Sequence, residues 1–276
     1  MELTDAGTLS LGNLPMVWHA LDLLEDEVER ANNYATVEMD FTDRKFDEAT
    51  LTGQRMYIHA FSLIRAARDN QKALEEMLPR GARPHAPWNL VRPSFEASFY
   101  AVWMLEPQDQ RTRFQRALRI AWDEQRQHRN RLKLMVEIAG AERHPDVQKT
   151  EAKDRSIKKR YEEEAHRVGL SAADLGKNPV LTEEIPKLRS LTDLTGVDPK
   201  YHTLKWRELS GIQHGDLGAI LALSDKQYRL KIPGGSTAVL SLNDDSFVAT
   251  CYSAAAMQLA AMRLYVSRST SVSKPA

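Results

Sequence analysis

The sequence predicts an all-α fold, a single helical domain of about seven to eight helices with one small β-hairpin near 227–242. Three observations support this prediction. Apolar residues recur at spacings of three and four through most of the chain, which is the helical period. Only one stretch alternates apolar and polar residues as a strand does. With 276 residues, about three quarters of the surface of the extended chain can be buried, enough for one core without disulfides.

Four helices are predicted in the first half of the chain. The first opens at Pro15, a residue tolerated in a first turn, and its apolar face carries Val17, Leu21 and Val28. A cluster of prolines and a glycine between residues 79 and 87 separates the second helix from the third. The four predicted helices span 15–31, 47–78, 88–105 and 107–139.

The second half alternates helical segments with breaks. The stretch 147–168 is rich in charge and almost lacks large apolar residues, so a solvated helix is favoured there and a mobile arm is the alternative. Glycine and proline divide 171–186 into a loop with short helical pieces. Further helices are predicted at 201–223, where three glycines offer points of interruption, and at 244–266.

One β-hairpin is predicted between the last two helices. Tyr228, Leu230 and Ile232 alternate with polar residues, a Pro-Gly-Gly-Ser turn follows, and apolar residues then resume. We expect the helices to form one domain over residues 1–266. The Ser-rich end of the chain, 267–276, is predicted to be a disordered tail.

Composition and charge argue against several classes of protein. The chain carries 38 basic and 38 acidic side chains, whereas domains that coat nucleic acid carry a large positive excess. The longest uncharged run, 246–262, falls short of the roughly 20 apolar residues that a membrane span needs. The N-terminal segment lacks the basic region of a signal peptide. We therefore expect a soluble, cytoplasmic protein without a membrane partner, in which the one cysteine, Cys251, is a small buried hydrophobe.

The candidate functional residues are the few ionisable groups within the most apolar helices. Between residues 93 and 105 the one charged residue is Glu96, and aromatic residues flank it. A buried carboxylate needs a partner. Arg92 lies four positions earlier on the same helical face and can supply one.

A second apolar segment carries Arg207, Ser210, His214 and Asp216. Seven residues make nearly two turns, so Arg207 and His214 share a face with Ser210 between them. Glycines nearby remove side chains and allow a backbone or a ligand to approach closely. If these groups converge with the Arg–Glu pair inside an apolar shell, they form a candidate active site. The alternative is a buried charge network that only fixes the packing of helices.

These residues resemble the RNase motif of the HEPN superfamily, whose small helical domains cleave RNA without metal through an arginine and a histidine four to six residues later. The resemblance covers 88–122 and 200–265 and rests on Arg92-Pro-Ser-Phe-Glu96, Trp103-Met-Leu-Glu-Pro107 and Trp206-Arg-Glu-Leu-Ser-Gly-Ile-Gln-His-Gly215. It implies that His214 moves protons at the ribose 2′-hydroxyl and the leaving oxygen, and that Arg207 holds the phosphate. It also implies a homodimer, because members of the superfamily act with two motifs facing each other.

Other constellations are weaker. Glu163 and His166 have the spacing of a di-iron ligand pair, but such a site needs the motif twice, so a solvated surface is favoured. The arginines of 107–139, Arg113 included, form the best basic face for phosphate contacts, although a solvated, ion-paired face is favoured over that role. The sequence has no glycine-rich phosphate loop and no cysteine–histidine zinc spacing. We therefore expect neither a metal nor a cofactor.

Two functions from different classes follow. The first is a metal-independent RNase, or an effector derived from one, with RNA as its partner. Its predicted catalytic residues are Arg207, His214 and Ser210, and its predicted binding residues are Arg92, Glu96 and Asp216. The second is a non-catalytic helical module that binds a small ligand or a protein partner, in which the Arg, Glu and His side chains are structural.

Overall fold

The computed structural model describes residues 13–34, 42–80, 86–140, 144–233 and 235–270. Within these ranges the chain forms twelve α-helices and one two-stranded antiparallel sheet, so the predicted all-α class is confirmed. The predicted count of seven to eight helices is wrong, because short breaks divide several of the predicted segments. No described helix is both long and apolar enough to cross a membrane.

Helices occupy most of the described chain, and the two strands lie between the last two helices. In chain order the helices are α1 (Leu14–Tyr34), α2 (Asp43–Glu48), α3 (Leu51–Met77), α4 (Trp88–Leu105), α5 (Gln110–Ala139), α6 (Pro145–Arg167), α7 (Ala172–Leu175), α8 (Leu181–Glu184), α9 (Arg189–Thr195), α10 (Pro199–Gln213), α11 (Leu217–Ala222) and α12 (Asp244–Thr270). The strands are β1 (Ser224–Ile232) and β2 (Gly235–Leu242). Short 3₁₀ helices follow α3 and α8, at Leu78–Arg80 and Ile185–Lys187.

The predicted helix 47–78 begins later than expected, since α2 and α3 are separate helices. The Thr50 hydroxyl accepts a hydrogen bond from the Gly53 N–H at 3.0 Å, as an N-cap does, and so starts α3. Gly53 lies so close to the preceding turn that a Cβ atom on it would stand 2.0 Å from the Asp47 carbonyl oxygen. A capping hydroxyl and a close backbone approach therefore set the boundary between α2 and α3. The spacing of apolar residues, from which the helix was predicted, contains no information on either contact.

The glycine-rich segment predicted as one interrupted helix is divided into α10 and α11. The division falls at Gly215, whose φ is +71°, a value that glycine adopts without steric cost. The Asp216 carboxylate accepts hydrogen bonds from the N–H groups of Gly218 at 2.8 Å and Ala219 at 3.2 Å, so it caps α11. This turn places His214 at the C-terminal end of α10.

The charge-rich stretch 147–168 forms a helix, α6, as the sequence favours. The loop predicted after it contains α7, α8 and a 3₁₀ turn, in agreement with the prediction. The hairpin is also confirmed. β1 pairs antiparallel with β2, Ile232 lies opposite Gly235, and the register shifts between Lys226 and Tyr228.

The last helix, α12, continues to Thr270, past the predicted end at residue 266. The first residues of the predicted disordered tail are therefore helical, and 271–276 lie outside the described residues. The reason is Arg268, which is only 6% exposed, donates to the carbonyl oxygens of Leu105 and Glu106 at 3.1 Å each, and pairs with Asp43. The guanidinium satisfies carbonyls at the end of α4 that have no helical partner, and its charge suits a helix C-terminus.

The chain divides into two compact units, each of which brings together segments that are distant in sequence. The first unit comprises Met1–Phe46, Tyr57–Glu106 and Val180–Ala276. The second unit comprises Asp47–Met56 and Pro107–Pro179. The assignment of residues 1–266 to a single domain stays a prediction.

The core of the first unit is built on α4 and α12, which pack against each other. α4 contributes large aromatic side chains, Phe95, Phe99 and Trp103, none more than 2% exposed. Each such side chain contributes about 1.5–3 kcal/mol through burial. α12 contributes mostly small residues, which allow the large ones to interdigitate, including Ala254, Ala255, Ala260 and Ala261. Cys251 of α12 is buried and free, as predicted, and burial raises the pKa of its thiol.

In the second unit, α5 packs against α6 and α7. The buried apolar cluster between these helices consists of Leu118, Tyr161, Ala165, Leu170 and Leu175. The favoured description of 147–168 as a solvated helix therefore holds for part of its circumference, because Tyr161 and Ala165 of α6 are buried.

A buried ion pair joins α2 to α5 within the second unit. The side chains of Arg113 and Asp47 are 2% and 0% exposed, and two hydrogen bonds of 2.9 Å and 2.8 Å join guanidinium to carboxylate. Arg113 also donates to the carbonyl oxygens of Pro107 at 2.9 Å and Gln108 at 2.6 Å. The assignment of Arg113 to a basic surface face is therefore wrong, because its charge is enclosed and paired.

Replacing Asp47 by Asn is expected to lower the free energy of unfolding by about 3–5 kcal/mol, because Arg113 would keep a buried charge without its counter-ion. Denaturant unfolding followed by circular dichroism measures the loss. Arg126→Gln is the matched control, since the Arg126–Asp123 pair is largely exposed and contributes at most about 1 kcal/mol. Equal losses of unfolding free energy in the two variants would contradict a larger contribution from the buried ion pair.

Candidate functional site

The predicted pairing of Arg92 with Glu96 is present on α4. The Arg92 Nε lies 3.2 Å from the Glu96 Oε1, one helical turn away. The guanidinium carbon of Arg92 stands 5.0 Å from the ring centroid of Trp206 on α10, within the range of a cation–π contact. α4 and α10 thus bring an arginine and a carboxylate that are one helical turn apart next to an indole more than a hundred residues further along the chain.

Aromatic packing holds α10 against α4 directly beside this cluster. The rings of Phe95 and Trp206 are stacked, with centroids 5.9 Å apart and an interplanar angle of 21°. Trp206 is 9% exposed, whereas the side chains of Arg92 and Glu96 are 16% and 35% exposed. The Arg–Glu pair therefore lies at the edge of the core, in contact with solvent, and is not enclosed by the apolar shell that the sequence suggested.

The other predicted residues lie on the outer surface of α10. Arg207 and His214 are exposed, and Ser210 between them is half-buried. A seven-residue separation leaves the two side chains within about 20° of each other around the helix and about 10 Å apart along it. The prediction that Arg207 and His214 lie inside an apolar shell is thus wrong. Along the open face of α10, the guanidinium of Arg207 is followed by the hydroxyl of Ser210 and the imidazole of His214.

Asp216 is also exposed, but its carboxylate is engaged as the cap of α11. Its hydrogen bonds connect the turn after His214 to the first turn of α11. This contact accounts for an aspartate at that position without a ligand, because the first N–H groups of a helix need an acceptor.

Two residues near the site were missed by the sequence reasoning. Lys205 Nζ lies 2.8 Å from the Glu208 Oε2 and 5.5 Å from the ring centroid of Tyr201. Although Lys205 is 7% exposed, its charge is therefore compensated. The three-residue spacing of Lys205 and Glu208 was the available signal. The pair neutralises the carboxylate that directly follows Arg207.

The second missed residue, His202, is completely buried. Its Nδ1 lies 2.8 Å from the Ser253 hydroxyl oxygen, and its Nε2 has no hydrogen-bond partner among the described residues. Burial lowers the pKa of His202 to about 4, so the imidazole is neutral at physiological pH. The signal was the stripe of His202, Trp206 and Leu209, whose helical spacing places all three on the buried face of α10.

The remaining candidate constellation is a surface feature. Glu163 and His166 are both exposed on α6, as the favoured interpretation expects. Within the described ranges, no group of three or more His, Cys, Asp or Glu side chains is arranged to hold a metal ion. Chemically, the α10 face offers a fixed positive charge and an accessible imidazole, which suit an anionic substrate that exchanges a proton.

Lowering the pH from 7 to 4.5 is expected to destabilise the first unit through His202. The unfolded chain takes up a proton on this side chain below pH 6.5, whereas the folded chain does so only below about pH 4. The contribution of the neutral His202 to the free energy of unfolding is complete above pH 6.5. It is lost as the pH falls from 6.5 towards 4, and the total loss is about 3 kcal/mol.

Denaturant unfolding of wild type and His202→Asn at the two pH values tests this expectation. Asparagine keeps an amide near Ser253 but does not titrate, so the variant should lose less stability on acidification than wild type. His19→Asn, at an exposed position of α1, is the control and should behave as wild type. An equal pH dependence in wild type and His202→Asn would contradict the assignment.

Comparison with known proteins does not place the chain in a family, since no family model, curated protein or solved structure matches it.

Proposed function

We propose that the chain is a metal-independent RNase, or an effector derived from one, of the HEPN-like type. The observation that carries the proposal is that Arg207 and His214 are both exposed on one face of α10, with the half-buried Ser210 between them. The Arg92–Glu96 pair acts here through Trp206, by holding the helix in place, and is a positioning element.

The chemistry follows from these side chains. The imidazole of His214 accepts the proton of a ribose 2′-hydroxyl, and the 2′-oxygen forms a bond to the adjacent phosphorus. The bond from phosphorus to the 5′-oxygen breaks, and that oxygen takes the proton from the His214 imidazolium, so the products are a 2′,3′-cyclic phosphate and a 5′-hydroxyl. Arg207 binds the phosphate oxygens and stabilises the charge that develops on them. Ser210, between the two, is placed to donate a hydrogen bond to the same phosphate.

Local charge supports this use of the face. A carboxylate beside a phosphate site repels RNA, and Glu208 directly follows Arg207. Its pairing with Lys205 removes that obstacle. A homodimer, in which two such faces meet, belongs to the proposal because one α10 face is open to solvent on its own.

A second function is favoured by a different observation. The Arg92–Glu96 pair, the Lys205–Glu208 pair and the Asp216 cap are all satisfied inside the first unit. Such a set is what a non-catalytic helical module needs for its packing, and a module of this kind would bind a small ligand or a protein partner through the same surface. Cleavage activity separates the two functions.

Wild type is expected to cleave a labelled RNA pool in EDTA, and His214→Ala to lose about 10²–10⁴-fold in rate, the usual contribution of a general acid or base. Arg207→Gln should show a loss of similar order because the phosphate is no longer held. His166→Ala, at an exposed histidine of α6, is the matched control and should cleave as wild type does.

Each alternative outcome is informative. Intact RNA after incubation with wild type would overturn the RNase proposal and leave the binding module. Activity that EDTA abolishes would contradict the metal-independent mechanism. Full activity in His214→Ala would show that another group moves the proton.

A further inference from the structure

A groove runs between α5 and α6 in the second unit, away from every residue of the proposed RNase site in the sequence. Its volume is about 650 Å³, within the range of sites that hold small organic ligands. The apolar part of its lining comes from Leu132 and Val136 of α5 and Val147 of α6, all half-buried. These side chains provide an apolar floor in a stretch of helix that is otherwise highly charged.

Two cations of the groove wall meet at one aromatic ring. The guanidinium carbon of Arg129 lies 5.8 Å from the ring centroid of Trp122, and the Lys158 Nζ lies 6.0 Å from the same centroid. Arg129 comes from α5 and Lys158 from α6, so the packing of the two helices gathers the charges. An anionic group bound beside this ring would be attracted by both cations.

Two of the three carboxylates that line the groove have partners, one inside the groove and one beside it. Glu151 pairs with Arg155 at 3.9 Å, and Asp154 accepts a hydrogen bond from the Gln125 amide at 2.8 Å. Lys158 also has a carboxylate within 3.8 Å, from Glu162.

Within the part of the chain that the structure describes, Arg129 and Lys133 have no ion-pair partner. The lining carboxylates of Glu137 and Asp154 likewise have no ion-pair partner there. The Nε of Arg129 is buried and forms no hydrogen bond to any described residue. Basic side chains also outnumber acidic ones in the second unit as a whole. Four basic and three acidic side chains line the groove, so it combines an apolar floor with a small excess of positive charge.

We propose that this groove binds an anionic amphiphile, a small molecule with an aryl or acyl body and a single carboxylate, sulfonate or phosphate group. The anionic group lies against Arg129 and Lys158, and the apolar body covers Leu132, Val136 and Val147. The charge-assisted contacts orient the ligand, and burial of its body supplies affinity. The site is independent of the proposed RNase function.

Titration with 8-anilinonaphthalene-1-sulfonate, followed by its fluorescence, tests the proposal because this probe joins an aryl body to one anionic group. Arg129→Gln and Lys158→Gln are each expected to weaken binding about tenfold, the loss of one hydrogen bond to a charged group. Val136→Ser should also weaken binding, by about threefold, because it removes part of the floor. The uncharged analogue N-phenyl-1-naphthylamine should bind wild type about tenfold more weakly than the sulfonate does.

Two control variants locate the probe. Lys159→Gln removes a cation next in sequence to Lys158 that is 79% exposed and outside the groove, and should bind as wild type does. Ile138→Ser removes the most exposed apolar side chain of α5, 79% exposed, and should also leave affinity unchanged. Ile138, Lys158 and Lys159 are exposed, and Arg129 and Val136 are half-buried. Circular dichroism of each variant checks that it is folded.

Equal affinity in wild type, Arg129→Gln and Lys158→Gln would overturn the proposal. So would a loss in Ile138→Ser as large as that in Lys158→Gln, because the probe would then lie on the exposed face of α5. Binding of the protein to phosphatidylglycerol vesicles without binding of the free sulfonate would show that the cations serve a membrane surface, which also contradicts a small-molecule groove.

Discussion

The first unit depends on the burial of two helices that carry almost no charge, α4 and α12, against each other. Large rings on α4 and small residues on α12 make this contact dense. Among the described residues, the two helices carry buried polar atoms without a hydrogen-bond partner, including the hydroxyl oxygen of Ser98 and the Oε1 of Gln258. Arg268 closes the end of the pair by donating to the last carbonyls of α4. α10 then joins through the stacking of Trp206 on Phe95, so the orientation of the candidate site follows from this core.

Some of the charged side chains in each unit are compensated by an ion pair, which reduces the number of groups that are available for function. Asp47 neutralises Arg113 in the second unit, and Glu96 neutralises Arg92 at the edge of the first. Once such pairs are removed, α10 still presents a guanidinium and an imidazole to solvent. The proposed function uses Arg207 and His214, because breaking an ion pair so that one of its members can bind a ligand lowers the stability of the fold.

The zero net charge of the chain is an average over two units of opposite character. Basic side chains outnumber acidic ones in the second unit, and the reverse holds in the first. Neutrality thus argues against general affinity for polyanions but leaves room for local anion sites of two kinds. One is an open helix face suited to a phosphodiester, and the other is a groove with an apolar floor suited to an amphiphile.

Local pattern alone specified the all-α class, the exact span of α4, the hairpin and the Arg92–Glu96 pair, because each depends on residues within a few turns of one another. Tertiary structure decided burial. Arg113 and His202 are enclosed, whereas Arg207 and His214 face solvent, although all four lie in amphipathic helices with similar patterns. The helical period identifies faces but does not say which face another helix will cover. That choice depends on partners more than fifty residues away in sequence, such as Asp47 for Arg113 and Ser253 for His202.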